Sequence, residues 1–93
     1  MNQGGGEQQQ QTGAGAMMWS VQIGAFKAES GAFQLVSEAK NKFKQPVYKQ
    51  YDPVSGFYKV TVGSFQTHDQ AAQFKSEVQA KGYQDAFLVE VRR

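Results

Sequence analysis

Gln22, Lys59 and Thr61 are the side chains whose types and positions could do chemistry together. Strand alternation puts Gln22 on the face opposite Val21 and Ile23, with Ser20 and Gly24 beside it. The same parity groups Phe57, Lys59 and Thr61 on a second strand. A carboxamide brings two donors and an acceptor, an ammonium three donors, and a hydroxyl both functions. That set suits the hydroxyl and acetamido groups of a sugar, with an aromatic ring as an apolar shelf. Tyr51 shares parity with Val47 and can reach either face. The competing reading of every one of these residues is plain solvation on an antiparallel sheet.

Bond-making chemistry finds little support. The chain has no cysteine, which excludes thiolate catalysis and a disulfide framework. His68 is the single histidine, beside Asp69, with no second ligand at helical spacing and no nucleophile to activate. Asp52, Asp69, Asp85 and the glutamates fall at turns or on exposed helix positions, too dispersed for an acid/base pair. The expectation is a binding module with no cofactor, no metal and no enzymatic activity.

The elements that must position these residues follow from periodicity. Residues 1–18, rich in Gly, Gln and Ala with Glu7 the single charge, read as a flexible linker or cloning-derived segment. Residues 19–93 form one small domain with ten basic residues against seven acidic, an excess too mild for a nucleic-acid stripe. No stretch is long enough to span a membrane, so no direct membrane insertion is expected here. The N-terminus also lacks a secretory signal pattern, so any export signal would belong to a longer parent.

Trp19 to Phe26 alternates as a half-buried strand. Ala32, Leu35, Val36, Ala39 and Phe43 then make one helical stripe over about 29–43, weakened at its start by Gly31. Val47 to Tyr51 follows as a strand, and Asp52-Pro53-Val54-Ser55-Gly56 as a turn with Gly56 at positive φ. Phe57 to Val62 is the third strand. Thr67 has capping-box spacing to Gln70 and starts a second helix, which Lys81-Gly82 stops. Ala86 to Val91 is the fourth strand. The order βαββαβ predicts an α+β split βαβ fold, ferredoxin-like, with a four-stranded antiparallel-type sheet and both helices on one face.

A repeat underlies this order. Val21-Gln22-Ile23-Gly24-Ala25-Phe26 returns 39 residues later as Val60-Thr61-Val62-Gly63-Ser64-Phe65. Ala32, Gln34, Ser37, Glu38 and Lys42 return as Ala71, Gln73, Ser76, Glu77 and Lys81. The two repeat strands are expected at the centre, side by side. Gly24 and Gly63 read as turns from strand into helix, and Phe26 and Phe65 as packing residues at those junctions. RNA-recognition domains share the element order, but they stack bases on rings of both central strands. Here those positions are Gln22 and Lys59, so no nucleic-acid partner is expected.

Trp-Ser-Val-Gln-Ile-Gly-Ala-Phe at 19–26 and Gly-Phe-Tyr-Lys-Val-Thr-Val-Gly-Ser-Phe at 56–65 resemble the two halves of the SPOR (sporulation-related repeat) domain. The resemblance covers about residues 19–91. It implies a bacterial periplasmic or cell-envelope protein whose SPOR domain binds peptidoglycan glycan strands, preferably stripped of stem peptides, and so reaches the division septum. It also implies that Gln22 on the open sheet face begins the binding site. A Ser that contributes three residues later in some members is Ala25 here, and an Arg common in the family is Lys59. Gly31 and Phe33 depart from the usual helix start. Glycan stripped by amidases carries a free lactyl carboxylate, which a Lys on the open face could meet in a charge-assisted contact. Lys59 is thus expected to sense that carboxylate. Gln22 and Thr61 would read polar groups, with Phe57 or Tyr51 as the shelf. The alternative is a protein-interaction module that recruits cell-division or envelope partners.

Overall fold

The computed structural model describes residues 17–92. The expected linker, apart from Met17 and Met18, lies outside the described residues, as does Arg93. The elements are β1 (Met17–Phe26), α1 (Glu29–Lys42), β2 (Val47–Asp52), β3 (Phe57–Phe65), α2 (His68–Ala80) and β4 (Phe87–Arg92). The strands form one antiparallel sheet in the order β2-β3-β1-β4. The repeat strands β1 and β3 are therefore the central pair, as expected.

Each helix is positioned by its own local chemistry. Thr67 caps α2 by accepting from the backbone N–H of Gln70 at 3.2 Å, and Gly82 follows the helix with φ +112°. Ala28 gives α1 no side-chain cap. Both helices cover one sheet face, where Val21, Ala39, Phe43, Val62, Val78 and Ala86 make the buried core. Val21, Val60, Val62 and Val78 are wholly enclosed, each contributing roughly 1.5–3 kcal/mol of transfer free energy. Phe74 packs against both Phe43 and Phe65, tying α2 to the end of α1 and to β3.

The helix ends repeat the sequence duplication in space. Lys42 and Lys81 are repeat equivalents, and the Lys81 ammonium donates to the Lys42 carbonyl at 3.1 Å. Lys42 lies over the Tyr83 ring and Lys81 over the Phe43 ring. Each half thus places its cation on the aromatic residue of the other.

Strand β1 begins two residues earlier than alternation suggests, with Met17 opposite Arg92 and Met18 opposite Val91. Strand β3 runs three residues past its expected end, to Phe65. At the far end of the sheet, β2 and β3 close through the expected turn. Gly56 has φ +79° and its N–H donates to the Asp52 carbonyl at 2.8 Å.

Candidate functional site

The face that carries the site is set by two register shifts, one in each copy of the repeat. On β3, two residues, Gly63 and Ser64, lie opposite the single residue Ser20 of β1. On β1, Ile23 is the extra residue between the pairs Gln22–Thr61 and Gly24–Val60. An inserted residue of this kind reverses the alternation beyond it.

The two irregularities correct three expectations. Gly24 pairs with buried Val60 and faces the helices, where a Cβ would lie 2.6 Å from Leu35 Cδ2. It is a point of close approach beneath α1 and not part of the open face. Neither glycine turns a strand into a helix, since β1 continues to Phe26 and β3 to Phe65. Gly63 instead holds the β3 bulge at φ +86°. Ser20 is opposite in parity to Val21 but wholly buried, and its hydroxyl meets the carbonyls of Val62 at 3.1 Å and Gly63 at 2.7 Å. It fastens the bulge and offers nothing to a ligand. Phe26 and Gly31 explain each other: the Phe26 ring comes to 2.8 Å of where a Gly31 Cβ would stand.

The remaining open-face residues converge. Gln22 and Thr61 are direct cross-strand partners, 9% and 7% exposed, at the floor of a hollow of about 420 Å³. The Gln22 amide has no hydrogen-bond partner among the described residues. Ala25 is exposed and stands opposite Lys59, one step along the same face. Gln50 and Asp52 of β2 join them on one flank, and Val89 and Val91 of β4 on the other. The β2 wall is largely polar, and the β4 wall alternates the aliphatic Val89 and Val91 with the charged Glu90 and Arg92.

Tyr51 borders the hollow, but its ring packs 4.8 Å from that of Tyr58, on the side that alternation shares with Val47 and Val60. Phe57 keeps open-face parity yet lies beyond the hollow, with the Lys27 ammonium 5.8 Å from its ring centroid. Val89 and Val91 add aliphatic side chains to the lining of the hollow beside Tyr51. His68 packs edge-on against Trp19, 4.9 Å between ring centroids, and so belongs to the helix side.

Lys59 has a partner that strand alternation alone did not reveal. Its ammonium lies 2.9 Å from Asp52 Oδ2. The Asp52 carboxylate also accepts from the Val54 N–H at 3.0 Å and the Ser55 hydroxyl at 3.1 Å. Lys59 first, then these two donors, hold the Asp52 carboxyl down at about 2, well below the ordinary carboxylate range. The signal was present in the hairpin: Asp52 pairs with Phe57, which makes Lys59 its diagonal neighbour on the same face.

The SPOR domain model matches residues 18–90, which include nearly all of the described strands and both helices. This chain belongs to the SPOR family. The fold of this SPOR domain resembles the solution structure of the peptidoglycan binding domain of the B. subtilis cell wall lytic enzyme CwlC. That likeness has a TM-score of 0.60 and 28% sequence identity, covering 84% of this chain and 91% of the other. A search of curated proteins returned no match. Within the SPOR fold, the open sheet face described above is the surface left uncovered by helices.

Proposed function

We propose that this SPOR domain is a noncatalytic peptidoglycan-binding module that takes a glycan strand in the hollow on its open sheet face. The observation that carries this reading is the Gln22 amide: almost enclosed at the floor of the hollow, and without a hydrogen-bond partner among the described residues. A buried carboxamide normally finds partners, and a sugar hydroxyl or acetamido group would supply them. Membership of the SPOR family and likeness to the CwlC peptidoglycan binding domain support the choice of ligand.

The walls suit a sugar's mixed chemistry. Gln50 and Thr61 present polar groups on one side, and Val89 and Val91 offer apolar contact to acetamido and lactyl methyl groups on the other. Glycan freed of stem peptides fits a shallow face best, because attached peptides would add bulk where the sheet offers no depth. Binding such glycan would place the parent protein in the bacterial envelope at the division septum. Affinity is modest, since an open face must offset the cost of immobilising a flexible chain.

Co-sedimentation with whole sacculi, before and after amidase treatment, tests the reading. Enrichment only after treatment supports stripped glycan as the ligand. Absence of sacculus binding in both states overturns the reading in favour of a protein partner.

A further inference from the structure

The ion pair inside the hollow carries a consequence for which sugars the site accepts. Asp52 is a carboxylate attached to the protein itself, sitting where an acidic ligand would meet Lys59. Three donors fix it there: the Lys59 ammonium at 2.9 Å, the Val54 N–H at 3.0 Å and the Ser55 hydroxyl at 3.1 Å. The turn is pinned in the same place by the bond from Gly56 N–H to the Asp52 carbonyl at 2.8 Å. Both partners remain in contact with solvent, the Lys59 side chain 38% exposed and that of Asp52 29%, so a ligand can reach the pair.

We propose that Asp52 is a specificity-determining residue, an internal competitor for Lys59 that a sugar carboxylate must displace. An acidic saccharide therefore exchanges one carboxylate for another at Lys59, whereas a neutral saccharide leaves the pair intact. The net attraction for acidic sugars is held below what an uncommitted lysine would give. Discrimination then rests less on Lys59 and more on Gln22, Thr61, the valines and the charged β4 residues Glu90 and Arg92 that also line the hollow. This inference rests on the glycan-binding reading of the same hollow.

Asp52→Asn is the informative substitution. The side-chain carbonyl still accepts from the Val54 N–H, so the turn keeps its internal bond while the charge is lost. Two probes are titrated by NMR into the wild-type domain and the variant: chitotetraose, which is neutral, and an amidase-stripped glycan oligomer, which carries free lactyl carboxylates. The expected result is two- to fivefold tighter binding of the acidic probe by Asp52→Asn, about the range of an exposed ion pair. Chitotetraose is the reference in each protein, so the ratio of acidic to neutral affinity is what rises, and the acidic probe gains a steeper salt dependence. In a Lys59→Gln background the Asp52→Asn effect disappears, which separates competition for Lys59 from any disturbance of the turn.

An unchanged ratio of acidic to neutral affinity in Asp52→Asn overturns the proposal while leaving glycan binding standing. So does a gain that persists with Lys59→Gln. If neither probe binds either protein, the glycan reading falls and this inference with it.

Discussion

Gln22 and Thr61 lie directly opposite one another across β1 and β3, and each is the other's counterpart in the 39-residue repeat. A residue that pairs with its own repeat equivalent sits at the approximate twofold relating the two halves. The duplication therefore brings together, on the floor of the hollow, the two copies of one repeat position at which they differ. A carboxamide and a hydroxyl meet there instead of two copies of one group, so the floor of the hollow is not symmetric about that axis.

Gln22→Ala should weaken binding of stripped glycan about tenfold, the loss of one or two hydrogen bonds to a ligand. Its melting temperature should not fall, because the amide makes no hydrogen bond within the described part of the domain. Titration beside a thermal melt checks both. A matched loss of affinity and stability would reassign Gln22 to a structural role.

Ser20→Ala should show the opposite pattern. The buried hydroxyl donates to the bulge carbonyls of Val62 and Gly63, and removing it leaves acceptors unsatisfied at a cost of about 1–2 kcal/mol. For a domain of this size each kcal/mol lowers the melting temperature by about 4–8 °C. Glycan affinity measured below the transition should be unchanged.

Gly63→Ala should cost about 2–4 kcal/mol, combining positive φ with overpacking. The added methyl would lie 2.4 Å from the Phe65 ring at a backbone φ of +86°. Gly56→Ala supplies the comparison, since φ is +79° there but nothing lies within 4 Å of the new methyl. Its cost should be about 1 kcal/mol, from backbone conformation alone. Urea unfolding midpoints of the two variants test the ordering.

Two pH windows should appear in the stability curve. Asp52 has its pKa lowered from 3.8 to about 2, so its contribution is complete above the ordinary value and lost as pH falls toward 2. Tyr83 is raised from 10.0 to about 12, first by burial and then by its hydrogen bond to Glu38. The contribution of neutral Tyr83 is complete below pH 10 and is lost as pH rises toward 12. Denaturant midpoints against pH should flatten at the acid end in Asp52→Asn and at the alkaline end in Tyr83→Phe.

Periodicity was enough to read the element order, both helices and the central placement of β1 and β3. Their signals are long and regular: the Ala32–Phe43 stripe, the Thr67 cap, the repeated strand pattern. Gly24 and Ser20 escaped because alternation counts residues and cannot register the one left unpaired at Ile23 or the extra one beside Gly63. Of the site, Gln22, Lys59 and Thr61 were legible by parity on the two repeat strands, whereas Ala25 entered only through the family resemblance and reaches the open face because of the extra residue at Ile23. Asp52 looked like a turn residue because its type suits turns, although the hairpin register also makes it a neighbour of Lys59. Val89 and Val91 were read as strand positions without a face, since a short apolar run such as Phe87–Val91 carries no alternation to orient it.

The pairing of Met17 with Arg92 has a mechanical meaning. The two ends of the folded unit meet at one corner of the sheet, on adjacent antiparallel strands. Tension applied between them does not shear the sheet as a block. It opens the β1–β4 ladder from that corner, one hydrogen-bonded pair after another, and the first pairs to part are those beside Val91 and Val89. A module pulled from both ends would thus lose the aliphatic wall of its hollow before the β1–β3 floor gives way, and would release its ligand while most of the fold still stands.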